Sequence, residues 1–292
     1  MVSIIISSVN KDQLKNISEN IAETVGVPFE IIATNNSKGE KGLCQVYNEA
    51  VAKVNYDIIC FMHEDIIIKT QDWGKVLISI FKDPEIGLIG VAGSSYRPLT
   101  PSNWGSFGLD TIYVNIIQSF KYTRREDIHD YINPRNEKLT RVTCVDGVWL
   151  STTKKVASEF KFDENTFKGF HGYDIDYSLT VGQKYKVAVT YDILINHLSE
   201  GRYDHVWMED NIKLFYKWNK ILPYNLEESL TPIIIHGEKV AFKSFIDQLI
   251  IFKFPLLTAL KILYSNNRFY KLSPKLFYKL QFYILKKYLG RK

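Results

Sequence analysis

Apolar positions in the first 62 residues switch between two periods. Val2 to Ile6 is an apolar, β-branched run interrupted only by Ser3, the pattern of a buried strand. Leu14, Ile17, Ile21 and Val25 then recur at helical spacing behind Asn10, an N-cap with Gln13 at the capping-box position. Gly26 and Pro28 end that helix, and Phe29 to Thr34 reads as a second buried strand. After a polar stretch from Asn35 to Gly42, helical spacing returns at Leu43, Val46, Tyr47, Ala50, Val51 and Val54, and Asp57 to Met62 closes a βαβαβ alternation. That alternation predicts an α/β fold with a mostly parallel sheet and flanking helices. Further along, Asp72 to Phe81, Tyr173 to Tyr185 and Glu209 to Lys220 read as helices. Gly87 to Ala92, Thr111 to Phe120, Val142 to Leu150, Val187 to Tyr191 and Ile193 to Ile195 read as strands, with a Ser-, Pro-, Asn- and Gly-rich loop from Gly93 to Gly108. Pro223 marks the expected domain edge, dividing a domain over 1–225 from a mainly helical extension over 226–292.

Three cysteines, Cys44, Cys60 and Cys144, are odd in number and widely spaced, so neither a disulfide framework nor a zinc site is implied. The start, Met-Val-Ser-Ile-Ile-Ile, has no basic n-region and reads as a strand rather than a signal peptide. Charge changes the picture at the other end. No acidic residue follows Asp247, while the last 45 residues carry eight Lys and two Arg. A chain total of +5 therefore hides an acidic body and a basic, aromatic tail.

In open α/β sheets ligands bind beyond the carboxyl ends of strands. Here those ends carry Ser7-Ser8-Val9-Asn10, Asn35-Asn36-Ser37 and His63-Glu64-Asp65. An acidic cluster between two apolar runs is costly to bury unpaired, and a divalent cation is one partner that satisfies it. Capping of a strand in solvent is the other reading. A second cluster, Gly169-Phe170-His171-Gly172-Tyr173-Asp174-Ile175-Asp176, opens a helix. At about 100° per residue, Asp174 and Asp176 point to opposite sides while His171 and Asp174 share a face, so one aspartate enters a given site; two aspartates that only stabilise a helix N-terminus is the other reading. Asn196-His197 follows an apolar strand; a lone histidine there reads as a structural or surface residue or as an imidazole ligand.

Taken in order, Val2–Asn10, Glu30–Ser37, Gly42–Ala50, Asp57–Asp65, Asp146–Leu150, Phe162–Leu179 and Lys186–His197 resemble glycosyltransferase family 2, which has the GT-A fold. The match covers residues 1–220, and the run FKGFHGYDIDYSL is similar to a bacterial subgroup of that family. The resemblance implies an inverting transfer of a sugar from a nucleotide-diphosphate donor, UDP-sugar first, to an acceptor hydroxyl, in surface polysaccharide or glycolipid synthesis. It implies a divalent cation, Mn2+ or Mg2+, on Asp65 with His197. His63 stands where the family has the first Asp of its metal motif. Asp174 matches the catalytic base, with Tyr173 in place of the preceding Glu. Ser7, Ser8, Asn10, Asn35, Asn36 and Glu64 fall at nucleotide-facing positions. Trp149, Trp104 and His171 are candidates for sugar or acceptor contact, since aromatic faces stack on sugars; a place in the core or at an interface is the other reading of the two tryptophans. A nucleotidyltransferase is the rival enzyme, disfavoured because Val2–Lys11 has no Gly or Arg; a decayed sugar-binding protein is the rival outside catalysis.

No window after Asp247 offers about 18 uninterrupted apolar residues, so the tail is not expected to span a bilayer. Ser273 to Leu289 reads as a capped amphipathic helix, with Lys275, Lys279 and Lys286 beside Leu276, Phe277, Leu280, Tyr283, Ile284 and Tyr288. Such a face suits an anionic membrane surface and a cytoplasmic, peripheral location. The competing destination is protein, either the rest of this chain or a second copy in a homo-oligomer. No nucleic-acid partner is expected.

Overall fold

The computed structural model describes residues 1–105, 111–123, 125–201, 203–226 and 231–290, so the end of the predicted loop, 106–108, lies outside the described residues. The strands are β1 Val2–Ser8, β2 Phe29–Asn35, β3 Ile58–Met62, β4 Ile66–Ile68, β5 Ile86–Gly90, β6 Ala92–Ser94, β7 Tyr96–Arg97, β8 Ile112–Gln118, β9 Ile128–Ile132, β10 Leu139–Val142, β11 Cys144–Val145, β12 Trp149–Thr153, β13 Lys186–Thr190, β14 Ile195–His197 and β15 Tyr224–Asn225. The helices are α1 Lys11–Thr24, α2 Leu43–Val51, α3 Trp73–Ile80, α4 Lys154–Glu159, α5 Tyr173–Val181, α6 His205–Trp218, α7 Thr231–Ile251, α8 Leu256–Leu263, α9 Arg268–Leu272 and α10 Pro274–Leu289. The fold is mixed α/β, with a central sheet, flanking helices and a helical C-terminal segment. The three cysteines are buried and free.

The chain divides into two compact units, Met1–Ser95 with Ile112–Arg202, and Tyr96–Thr111 with Tyr203–Lys292. In the first, seven strands run in the order β10-β13-β5-β12-β3-β1-β2. β1 pairs in parallel with β2 and β3, placing Ile4 between Ile31 and Cys60. With neighbours on both edges and helices over its faces, Val2, Ile4, Ile5 and Ile6 are all buried, which is why the run is almost wholly apolar. The sheet is less parallel than expected: β12 runs antiparallel to both β3 and β5, and β10 antiparallel to β13. The stretch from Val142 to Leu150 is not one strand but the end of β10, all of β11 and the start of β12. Asp146 breaks it, turning the chain so that its Oδ1 accepts the Val148 N–H at 2.8 Å. A second sheet follows the order β11-β6-β8-β14-β4, with β9 paired to β8.

The second unit begins 20 residues before Pro223 in its main segment, and it recruits residues 96–111 by long-range pairing. β7 pairs with β15, Tyr96 opposite Asn225. Glu238 on α7 is wholly buried and accepts the Tyr96 hydroxyl at 2.8 Å and the Leu99 N–H at 2.9 Å. Burial pushes its carboxyl up to about 7. Ser273 caps α10 through the Leu276 N–H at 3.2 Å, as the sequence predicts. Of the two destinations open to it, membrane surface or protein, the apolar face of α10 takes this chain's own core. Leu276, Phe277, Leu280 and Ile284 are buried in one core with Phe242, Phe245 and Leu249 of α7 and Ile262 of α8. Tyr283 donates to the Asp247 carboxylate at 3.1 Å and Tyr288 to the Phe254 carbonyl at 3.2 Å. Among the described residues, no helix is long and apolar enough to cross a membrane. Leu280→Ala should therefore destabilise the protein by about 2–5 kcal/mol, the usual cost of a core cavity. Chemical denaturation without lipid reads this directly; an unchanged midpoint would return that face to solvent or membrane.

Candidate active site

Strand register assembles the first cluster. β3 ends at Met62, and the His63 N–H donates to the Val148 carbonyl at 3.0 Å, which pins the start of the His63-Glu64-Asp65 turn. β14 lies between β4 and β8, with His197 opposite Ile66 on one side and Gln118 on the other. That register sets His197 beside Asp65, the residue preceding Ile66. Ligand atoms of His63, Asp65 and His197 all lie within 4.8 Å of one another. His63 Nδ1 is 3.9 Å from Asp65 Oδ1, and His197 Nε2 is 3.7 Å from Asp65 Oδ2. Ser199 donates to Asp65 Oδ2 at 2.6 Å.

The chemistry of this donor set fits a divalent cation. Burial pushes the Asp65 carboxyl up, but the neighbouring imidazoles and the Ser199 hydroxyl more than offset it, holding it below the ordinary carboxylate value. Burial, assisted by His63, holds His197 below the ordinary imidazole value against the pull of Asp65. An ionised carboxylate facing a neutral imidazole is the protonation state that metal ligation needs. His63, assigned no ligand role by the sequence reading, is thus the third member of the cluster.

Asp174 is positioned by close packing around Gly147. A Cβ there would lie 2.1 Å from the Tyr173 hydroxyl, so only glycine leaves room for Tyr173 to donate to the Gly147 carbonyl at 2.9 Å. The Gly147 N–H in turn donates to Asp174 Oδ2 at 3.1 Å. Gly172, at φ 77°, opens α5, and Asp174 and Asp176 both occupy its first turn. They diverge as the helical projection predicts: Asp176 is buried, Asp174 partly exposed. Burial, then the charge of Asp146, push the Asp174 carboxyl up to about 7, although backbone N–H groups pull it down. Asp146 is a contributor that the sequence reading passed over. Burial also holds the Tyr173 phenol far above its ordinary value, so it stays a proton donor. Its oxygen lies 3.2 Å from His63 Nε2, joining the start of α5 to the His63, Asp65 and His197 cluster.

A cleft of about 190 Å³ opens on the same cluster, lined by Ser7, Gln13, Tyr47, His63, Glu64 and Asp65, with exposed Val9 and Phe170 also contributing. Two of its polar atoms, Ser7 Oγ and Glu64 Oε2, are buried without a partner among the described residues. The other Glu64 oxygen accepts the N–H groups of both Val9 and Asn10 at 2.9 Å. Glu64 therefore holds the loop after β1, and it replaces the reciprocal capping box expected of Gln13. Asn10 does cap α1, accepting from Asp12 and Gln13. Ser8 is buried, its carbonyl taken by the Asn36 N–H. Asn35 and Asn36 line a separate polar cleft of about 220 Å³ with Ser37, Lys38 and Glu40. There Asn36 is committed to Lys41 through both ends of its amide, and Asn35 to the Ser37 N–H.

The three residues assigned to sugar contact part company. His171 sits in the bend before α5, partly exposed. Trp149 is wholly buried in β12 with its ring against Trp73, so it has no face to offer a sugar. A strand buried on both sides imposes that, whatever the side chain. Trp104 belongs to the second unit.

Comparison with solved structures finds a mannosyltransferase from Pyrobaculum calidifontis in complex with GDP-Man and Mn2+, 12% identical over 100% of this chain and 88% of that one, with a TM-score of 0.49. S. aureus TarS 1-349 in complex with UDP-GlcNAc is 12% identical over 99% of this chain and 92% of that one, with a TM-score of 0.47. No curated protein sequence matches. The profile of the glycosyltransferase-like family matches residues 3–219, about three quarters of the chain and all of the residues in the cleft and both clusters. The chain belongs to the glycosyltransferase-like family.

Proposed function

We propose that this protein transfers a sugar from a nucleoside-diphosphate sugar, UDP-sugar first, to an acceptor hydroxyl with inversion at the anomeric carbon. The observation that carries the reading is the Tyr173–His63 contact, which brings the start of α5, and with it Asp174, against a three-residue metal-ligand cluster. His63, Asp65 and His197 would hold the divalent cation. When bound there, it supplies positive charge to offset the charge developing on a departing diphosphate. Ser7 and Glu64 line the cleft and carry polar atoms, Ser7 Oγ and Glu64 Oε2, without a partner among the described residues, which the hydroxyls of a ribose or the N–H of a base would satisfy.

In the transfer itself, the acceptor oxygen bonds to the anomeric carbon as the bond to the diphosphate oxygen breaks. The electron pair leaves with the diphosphate, and the acceptor proton passes to Asp174. A carboxylate raised to about 7 is suited to that task, because a base whose pKa lies near the working pH is both ionised and strong enough to take a proton. A single base opposite the leaving group is what produces inversion.

Calorimetric titration of UDP and GDP with Mn2+, followed by a hydrolysis screen across UDP- and GDP-sugars, tests the reading. Binding of one nucleotide and slow hydrolysis of its sugar ester are expected. A folded protein that binds neither nucleotide in the presence of cation would remove the proposal and leave a decayed site.

A further inference from the structure

Two hydrogen bonds outside the metal-ligand cluster decide what each imidazole presents to it. Tyr173 has one hydroxyl proton, and the Gly147 carbonyl, which can only accept, takes it at 2.9 Å. The 3.2 Å contact to His63 Nε2 is then satisfied only if Nε2 carries a proton and donates. A neutral His63 therefore has its lone pair on Nδ1, the nitrogen 3.9 Å from Asp65 Oδ1. On the opposite side, the Gln118 amide nitrogen lies 2.7 Å from the Ser119 carbonyl and 2.9 Å from that of Ser199. That fixes the amide so its oxygen meets His197 Nδ1 at 3.2 Å. His197 is protonated at Nδ1, and its lone pair is on Nε2, 3.7 Å from Asp65 Oδ2. Opposite nitrogens are used on the two rings, and each unprotonated nitrogen lies within 4 Å of one carboxylate.

We infer that Tyr173 and Gln118 are positioning residues that set His63 and His197 as paired nitrogen ligands, so that this centre takes a borderline transition-metal cation ahead of Mg2+ and does so without nucleotide. The inference rests on the cation assignment in the proposed function and adds its class. Magnesium prefers oxygen ligands and keeps several waters, so two carboxylates suit it better than two imidazoles. Imidazole favours Co2+, Ni2+ and Zn2+, with affinity rising from Mn2+ through the first-row series. Three oriented protein ligands also lessen the need for diphosphate oxygens to complete the site. Hydrogen bonds that orient a ligating histidine are worth about 10–100-fold in metal affinity.

The test uses the full-length, metal-free protein with Co2+, Zn2+ and Mg2+ alone, followed by calorimetry and by the visible absorbance of Co2+. The expected result is Co2+ and Zn2+ binding without nucleotide, weaker or no Mg2+ binding, and a 10–100-fold loss of Co2+ affinity in Tyr173→Phe and in Gln118→Leu. Tyr173→Phe keeps the buried ring, and melting curves identify a variant that has lost its fold. Independently, 15N-detected imidazole spectra of the metal-free protein should show His63 protonated at Nε2 and His197 at Nδ1, with the His63 tautomer changed in Tyr173→Phe. The opposite tautomers, Mg2+ binding equal to Co2+, or Co2+ affinity untouched by both variants would each overturn the inference while leaving a metal-dependent transferase intact. Failure of the wild-type protein to bind any cation, with or without UDP, would overturn the cation assignment as well.

Discussion

Asp174→Asn should lower turnover by about 10²–10⁴-fold while donor affinity stays nearly unchanged, the magnitude general-base removal usually carries. The amide keeps an oxygen where Asp174 Oδ2 accepts the Gly147 N–H, so the start of α5 should hold its shape. What it loses is the capacity to take a proton. Because the wild-type carboxyl is pushed up to about 7 by burial and Asp146, turnover should fall as pH drops through about 7, and the residual rate of the variant should lack that inflection. Stability should move the other way. The unfolded carboxyl titrates near 3.9, so between about 4 and 7 the folded state binds more protons than the unfolded one. Stability from this group is therefore greatest below about pH 4 and declines as pH rises to about 7. At pH 8 Asp174→Asn removes a charge that desolvation and Asp146 disfavour and should melt higher than wild type, a gain in stability bought with lost activity. Near-normal transfer by the folded variant would rule out Asp174 as base.

The same side chains show how far the sequence could be read. The first three strands and two helices were legible because their periods are strong and their signals local: a β-branched run, helical spacing and breakers where the chain turns. Asp174 and Asp176 were separable by helical projection alone. Asp65 and His197 each stood out at a strand end, but only the resemblance joined them on one cation, and the 4.8 Å cluster supplies the geometry that spacing could not. Other features had no local signal. β9, Ile128–Ile132, is largely exposed and carries His129 and Asp130, so neither burial nor alternation marks it. Gln118 and Ser199 reach the cluster across 79 and 134 residues of sequence, by register and side-chain hydrogen bonds. Glu64 was assigned to nucleotide, yet one of its oxygens holds the Val9 and Asn10 backbone, a use that only the fold reveals. For Trp149 and the apolar face of α10 the sequence left two readings open, because an aromatic or amphipathic pattern states that a surface is covered without saying by what, and core covers both.

Asp65→Ala should abolish the dependence of donor binding on divalent cation and weaken that binding by about 10²-fold or more, since charge stabilisation at such a centre is worth several kcal/mol. Asp65 is the only carboxylate of the cluster; His63 and His197 are neutral when they ligate and bring no negative charge. Asp65→Asn separates charge from shape: it retains an oxygen for the Ser199 hydroxyl, now 2.6 Å from the carboxylate, but loses the charge. If the loss belongs to cation binding, Asp65→Asn should behave as Asp65→Ala in titrations of UDP with and without Mn2+, and EDTA should depress wild-type affinity to the level of the variants. If it belongs to packing of the β4–β14 pair, Asp65→Asn should recover wild-type affinity. Donor affinity indifferent to EDTA and to both substitutions would show that the nucleotide is held by the β1 loop alone, with Ser7 and the Glu64-anchored backbone carrying recognition.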